Sequence, residues 1–423
     1  MKRLVFLLFL FCTFALAHTF HGVSMASNTL NGWVVRSDTG CVYYTSDCGL
    51  TWIDQSFLTA RYFSDVFFLN EQKGWLLSYD QGFVWHTENG GDTWINQYMG
   101  LTKQTIRITL IDDSCGWVGG NEAVIGRTIN GGNSWDQICL PCPPFNCDTV
   151  IENGISFINR QQGWFCAGCF PVYWQPDTWF TKGQGYIAKS NDGGLNWQLL
   201  LKDTINDFFD IKILDTLKGF VIGGNDRTMS ALVMKTQNGG QSWQPVTIPS
   251  QAKYLRSLKF VGNHAWAVGH NGTIIHSNNG GNTWAVQTSN VNATLYDVDF
   301  SDTLHGLVAG DSYVLYTHDG GATWHIANLG IEEEIATLST RSSFSIYPNP
   351  AKAFFIIRFP LNVQSPMIRL YDVSGKLVKE IDSPSAHNGK FTEMRVSLKG
   401  IKPGVYFIKV RDEMVKEKLV VTR

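Results

Sequence analysis

Five cysteines fall within one short stretch of this chain, and their spacing is the first sign of chemistry. Cys139 and Cys142 are separated by two residues, as are Cys166 and Cys169, with Cys147 between the pairs. Two Cys-x2-Cys pairs can give four thiolates to a tetrahedral zinc ion. The same side chains can instead form disulfides, which persist outside the cytoplasm. The export signals described below favour stapling over metal, so no cofactor is expected; the pairing is not readable from sequence. A Cys41–Cys48 bridge is not expected, because a seven-residue extended span at about 3.3 Å per residue exceeds bridging distance.

The same stretch carries Phe145, Phe170, Tyr173, Trp174 and Trp179. Exposed, these rings would stack on sugars or anchor a peptide; buried, they would form a small core beneath the loop. A second set, Asp65, Asp210 and Asp297 with Arg107, recurs at one strand position. It can line a channel and hold a cation or basic peptide, or bond neighbouring backbone, which is the commoner use of such residues. No Ser-His-Asp grouping or metal-binding His pair is evident, since His264 and His270 lie six apart in a turn region.

A repeat positions these residues. Thr87-Glu88-Asn89-Gly90-Gly91-Asp92-Thr93-Trp94 recurs with variations, ending at Trp52, Trp94, Trp135, Trp197, Trp243, Trp284 and Trp324. The spacings are 42, 41, 62, 46, 41 and 40 residues, and about forty residues make one four-stranded propeller blade. Asn or Asp can bond amides ahead of it, glycine takes positive φ, and tryptophan can plug the gap between sheets. Short apolar runs such as Asp65-Val66-Phe67-Phe68 precede a Gly-aromatic pair such as Gly74-Trp75, or its counterpart Gly306-Leu307. Aromatics at 13% and 41 glycines suit an all-β chain. The expectation is a seven-bladed β-propeller over 18–330. The long fourth repeat places its extra residues, 138–148 and 166–183, on the face opposite the repeated turns, where they should meet.

These turns resemble Asp-boxes, or bacterial neuraminidase repeats. Residues 20–327 are similar to the propellers of the photosystem II stability and assembly factor family, whose superfamily extends to non-photosynthetic bacteria. The resemblance implies a propeller that holds partner proteins. A sialidase-like enzyme would need clustered arginines and a Tyr–Glu pair. Arg36, Arg61, Arg107 and Arg160 lack the Phe/Tyr-Arg-Ile-Pro signature of that group.

After an acidic linker at 331–343, the chain changes character. Residues 344–423 hold 14 Lys and Arg against 7 Asp and Glu, whereas 18–343 hold 18 against 29. Alternating apolar runs predict a small Ig-like β-sandwich. Tyr347-Pro348-Asn349-Pro350, Leu370-Tyr371-Asp372-Val373-Ser374-Gly375-Lys376, Pro403-Gly404-Val405-Tyr406-Phe407 and Lys418-Leu419-Val420-Val421 follow in order. This tail resembles the type A C-terminal sorting domain of the type IX secretion system of Bacteroidota. The resemblance implies the type IX machinery as a partner. It also implies removal of the tail on export, with release or attachment to surface lipopolysaccharide.

Lys2, Arg3, an apolar run from Leu4 to Leu16 and Ala15-Leu16-Ala17 predict a signal peptide over 1–17. Its removal takes Cys12 and leaves an even eight cysteines. No later stretch is apolar enough for a transmembrane anchor. An acidic body repels phosphate backbones, so nucleic acid is not an expected partner. The reading is a secreted or outer-membrane-surface binding and assembly protein rather than an enzyme. Its alternatives are a glycan-binding surface protein and a sialidase-like glycoside hydrolase.

Overall fold

The computed structural model describes residues 19–329 apart from 38–39, 58–61, 80–81, 102–103, 122–123, 141–149, 170–183 and 226. It also describes 345–422 apart from 348–350, 353, 361–366, 373–375, 383–386, 389–390 and 411–412. The expected signal peptide and linker lie outside the described residues. Two compact units result, Met1–Glu332 and Glu333–Arg423. Among the described residues, no helix is long and apolar enough to cross a membrane.

The first unit contains seven four-stranded antiparallel sheets, each a meander in chain order. They span 20–54, 63–98, 105–139, 150–203, 207–245, 255–288 and 295–326, here blades one to seven. The first strand of each blade packs against the first strands of its neighbours, and blade seven packs against blade one. Seven apolar clusters fill the seven gaps between neighbouring blades, so the core is a ring of wedges.

Local sequence explains each wedge. The Gly-aromatic pair opens the second strand, and its glycine leaves room for a phenylalanine from the first strand. A Cβ at Gly74 would lie 2.5 Å from the Phe68 ring, closer than side-chain atoms pack. The aromatic partner, Trp33, Trp75, Trp117 or Trp164, and in blade six Trp266 after Ala265, is fully buried in the gap to the next blade. Trp33 stacks flat on Phe68 at 3.4 Å, Trp117 on Phe157 at 3.5 Å and Trp266 on Phe300 at 3.7 Å. Each of the five indole N–H groups donates to a carbonyl in the next blade's Asp-box turn: Gly90, Gly131, Gly193, Gly239 and Gly320. These tryptophans clamp one blade to the next, a role that sequence reading gave to the Asp-box tryptophans.

The Asp-box tryptophans pack at the rim of the same clusters. Trp94, Trp197 and Trp324 meet Phe68, Phe157 and Phe300 edge-on at 5.9 Å. Trp52, Trp135, Trp243 and Trp284 complete the set, one per gap. The turn itself is organised by a hydroxyl two residues ahead of the Asn or Asp. Thr87 Oγ1 donates to Asn89 and accepts the Gly91 amide. Thr45, Thr128, Ser190, Thr236, Ser277 and Thr317 repeat it, all buried. The first glycine has φ near +70° in six turns; Cys48 takes that place in the first, with φ +54°.

The second unit has two four-stranded sheets. One contains Ser345–Tyr347, Phe354–Pro360, Phe391–Ser397 and His387–Asn388; the other Leu377–Asp382, Met367–Asp372, Gly404–Val410 and Glu413–Val421. Ile357 and Val396 from the first share a core with Ile368, Leu370, Ile408 and Leu419 from the second. Tyr406 donates its hydroxyl to the Lys402 carbonyl at 2.7 Å, the local bond that fixes a tyrosine corner in sandwich domains. The final strand also bonds Ala351 on both sides, through Val420 and Thr422.

Candidate functional site

The polar centre of the molecule is the channel lined by the seven first strands. Each strand slips by one residue near its start. A bulge re-aims the side chain that follows it. The slip puts Gly22, Asp65, Arg107, Gly154, Asp210, Ser257 and Asp297 at equivalent positions in the seven strands. A cavity of about 300 Å³ opens against this ring and runs toward the ends of the first strands.

The ring works as a set of latches. Asp65 accepts the amide of Ile108 in blade three, Asp210 that of Leu258 in blade six, and Ser257 that of Val298 in blade seven. Asp297 closes the circle by accepting the Val23 amide of blade one at 3.0 Å and the Ser257 hydroxyl at 2.7 Å. Where the position is glycine, the next blade moves in: a Cβ on Gly22 would meet Asp65, and one on Gly154 would meet Asp210. There a serine two residues on supplies the latch, Ser24 to the Phe68 amide and Ser156 to the Ile213 amide. Blade seven uses both tiers, because Asp299 accepts the Met25 amide at 2.7 Å.

Arg107 reaches across the channel from blade three, 3.0 Å from Asp297 and 3.6 Å from Asp65. Burial opposes its charge, yet Asp297, Asp65 and Asp210 together raise its pKa. Burial pushes Asp65 up to about 7, against the pull of Arg107 and two backbone amides. Lys212 pairs with Asp210 at 2.9 Å and Lys259 with Asp299 at 2.5 Å. The acidic residues predicted to hold a cation or basic peptide therefore line the channel, but their oxygens are engaged by amides, Arg107 and lysines. Among the described residues, no group of three or more potential ligands could hold a metal ion.

The family model for the photosynthesis system II assembly factor YCF48 matches residues 47–146, 196–290 and 284–346, more than half of the chain. The chain belongs to this YCF48 family. The secretion system C-terminal sorting domain matches 345–422, so the YCF48-type propeller is followed by a sorting tail of the type IX kind. The photosystem II assembly lipoprotein Ycf48 of Synechococcus sp. (strain CC9902) is 25% identical over 134 residues. That alignment covers 30% of this chain and 39% of the relative, so it spans about two fifths of the relative's length. A solved structure of YCF48 bound to D1 peptide has a TM-score of 0.54 at 17% identity, covering 71% of this chain and 92% of that one. The GH74 enzyme of Niastella koreensis gives 0.55 at 12% identity, covering 95% and 72%. At such identities the likeness shows the fold alone, an all-β propeller. A YCF48 protein and a hydrolase share it, so the fold does not select the chemistry.

Within this YCF48-type propeller, the predicted insert site is placed only by its flanks. Phe145, Phe170, Tyr173, Trp174, Trp179, Cys142 and Cys147 lie outside the described residues, as do the side chains of Cys139 and Cys169. Val150 and Cys169, which border the two extra segments, are partners in the blade-four sheet. Cys166 is a free thiol, fully buried against blade five, where burial raises its pKa well above the usual value. Cys166 and Cys169 both lie on the strand Gly163–Cys169. Cys48 is likewise a free thiol. In the tail, Pro348, Asn349, Pro350 and Gly375 lie outside the described residues, while Tyr347, Gly404 and Tyr406 fall on strands.

Proposed function

We propose that this chain is an exported binding module whose propeller holds a partner polypeptide, delivered by the type IX system to the cell surface or the medium. The observation that carries the reading is the fusion itself: a YCF48-family propeller joined to a secretion sorting domain. A rigid ring with variable loops on one face suits docking. The channel carboxylates support the non-enzymatic side of the reading. A glycosidase needs one carboxyl free to donate a proton and one free to attack or activate water, whereas Asp65, Asp210 and Asp297 are each bonded to a neighbouring blade. The solved relative bound to D1 peptide supports a polypeptide as the class of ligand. The net charge of the body argues for a partner of different composition from a phosphate-rich one.

The test uses the full chain, cross-linked on the surface of its source cells and recovered. The reading expects one protein in near-stoichiometric yield, cross-linked to propeller residues and unaffected by excess free sugars. Sugar-competed capture would replace it with the glycan-binding reading, and glycan hydrolysis by the purified chain with the enzymatic one.

A further inference from the structure

Arg256 occupies the register slip of the blade-six first strand, one residue ahead of the latch ring. Its counterparts include His21, Phe209 and Tyr296. The first strands start on the face opposite the Asp-box turns. Those turns bond instead to the loops joining first and second strands, as Gly90 does to Gln72. Arg256 thus sits at the other mouth of the channel.

Its direct contacts are three aromatic rings and one imidazole. The guanidinium lies 4.1 Å from the Phe209 ring, 5.5 Å from Tyr254 and 6.0 Å from Tyr296. Nε and Nη2 both donate to His270 Nε2, at 3.2 and 3.1 Å. A guanidinium only donates, so Nε2 is the bare nitrogen of a neutral imidazole. Burial, then Arg256, lowers the His270 pKa to about 4. His21, stacked on Tyr296 at 4.6 Å, is lowered to about 4 by burial and then by Arg107 and Arg256. Neither histidine supplies or removes charge at neutral pH.

The nearby acids are engaged elsewhere. Asp207 accepts the Tyr254 hydroxyl and the Gln184 amide, Asp311 bonds the Tyr296 hydroxyl, and Asp297 holds Arg107. Among the described residues, Arg256 forms no ion pair. The contrast with Arg107, deeper in the same channel and held by two carboxylates, is direct. A half-buried guanidinium with an aromatic rim and, among the described residues, no ion-paired carboxylate suits one anion.

We propose that this mouth binds the carboxylate of a small organic acid, held by the remaining N–H groups of Arg256 against the Phe209, Tyr254 and Tyr296 rim. One guanidinium matches one planar carboxylate, and the acidic body disfavours polyanions. The apolar rings select an acid with a ring or hydrocarbon body. This site is independent of the protein-docking reading, since a free acid needs no partner chain.

The experiment is calorimetric titration of the full chain with benzoate, with its neutral counterpart benzamide and with sulfate. Benzoate binds, and benzamide binds at least about tenfold more weakly, because the charge-assisted fork is lost. Arg256→Lys, which keeps the charge but not the fork, weakens benzoate about tenfold, and Arg256→Met abolishes binding. Unchanged near-ultraviolet circular dichroism in both variants separates loss of site from loss of fold. Benzoate binding that survives Arg256→Met, equal binding of benzamide, tighter binding of sulfate, or no benzoate binding to the wild-type chain overturns the proposal.

Discussion

The gap between blades three and four and the seam between blades seven and one do the same job with different chemistry. In the first, Trp117 lies flat on Phe157 and its indole N–H bonds the Gly193 carbonyl at 2.9 Å. At the seam, Leu307 takes the place of the tryptophan, and Cys48 replaces the turn glycine, its Sγ against the Gly306 and Thr317 carbonyls. The inner strands show the reverse. Blade three offers Arg107 at the latch position, whereas blade seven offers two carboxylates, Asp297 and Asp299, that accept the Val23 and Met25 amides. No chain links blade seven to blade one. The seam that lacks covalent continuity thus carries two carboxylate latches, where the gaps after blades two and five carry one each; such charge-assisted bonds are roughly twice as strong as neutral ones.

This contrast can be broken by mutation. The largest effect is expected for Trp117→Ala, which empties a buried indole site and costs about 3–5 kcal/mol. Leu307→Ala costs less, about 2–3 kcal/mol. Denaturant unfolding followed by near-ultraviolet circular dichroism measures both, and equal costs would remove the distinction between the two gaps. Next, Asp297→Ala strips Arg107, Ser257 and the Val23 amide of a buried partner, at about 3 kcal/mol. Ser24→Ala, which removes a neutral latch between blades one and two, costs about 1 kcal/mol. Hydrogen exchange locates the difference: Asp297→Ala exposes the Val23 amide ahead of the other first strands. If protection falls evenly around the ring, the seam is not specially dependent on its carboxylates.

Acid sharpens the comparison further. His21 belongs to blade one and stacks on Tyr296 of blade seven, so it reports on the seam. Its folded pKa, about 4, lies below its unfolded value of 6.5. Its contribution is present above pH 6.5 and is lost as pH falls toward 4, on the order of 3 kcal/mol. Asp65 has the opposite sign: its folded pKa is raised to about 7 from 3.8, so its ionisation is unfavourable and its share of stability returns on acidification. His21→Phe therefore flattens the acid limb of the stability curve, and Asp65→Asn steepens it; the same curve in all three proteins would contradict both assignments. The smallest effect is expected for Arg160→Met. This exposed arginine pairs with Asp112 on the surface, and its loss leaves the unfolding midpoint unchanged.

Much of this was legible in the sequence because it repeats. Asn-Gly-Gly turns at blade spacing, each with its tryptophan, predict four-stranded units without reference to contacts, since turn chemistry and alternation are local. The tail was readable for the same reason: Pro403-Gly404-Val405-Tyr406 starts a strand and Tyr406 bonds four residues back. The role of Trp33, Trp75, Trp117, Trp164 and Trp266 was not legible. The glycines before the first four, and Ala265 before Trp266, were visible, but the carbonyls they bond lie at least 54 residues away. The Ser/Thr that organises each Asp-box turn was within reach, two residues ahead of every Asn or Asp.

Sequence alone determined the number and type of units, the turn that ends each and the boundary where a basic sandwich replaces an acidic propeller. These depend on residues near one another in the chain. Tertiary structure decided which groups lose their counter-charge. Arg107 and Arg256 look alike in sequence, yet curling the ring gives one two carboxylates from blades two and seven and leaves the other with a neutral imidazole and aromatic rings. Charge pairing across a closed ring depends on through-space distance, which the order of residues does not encode.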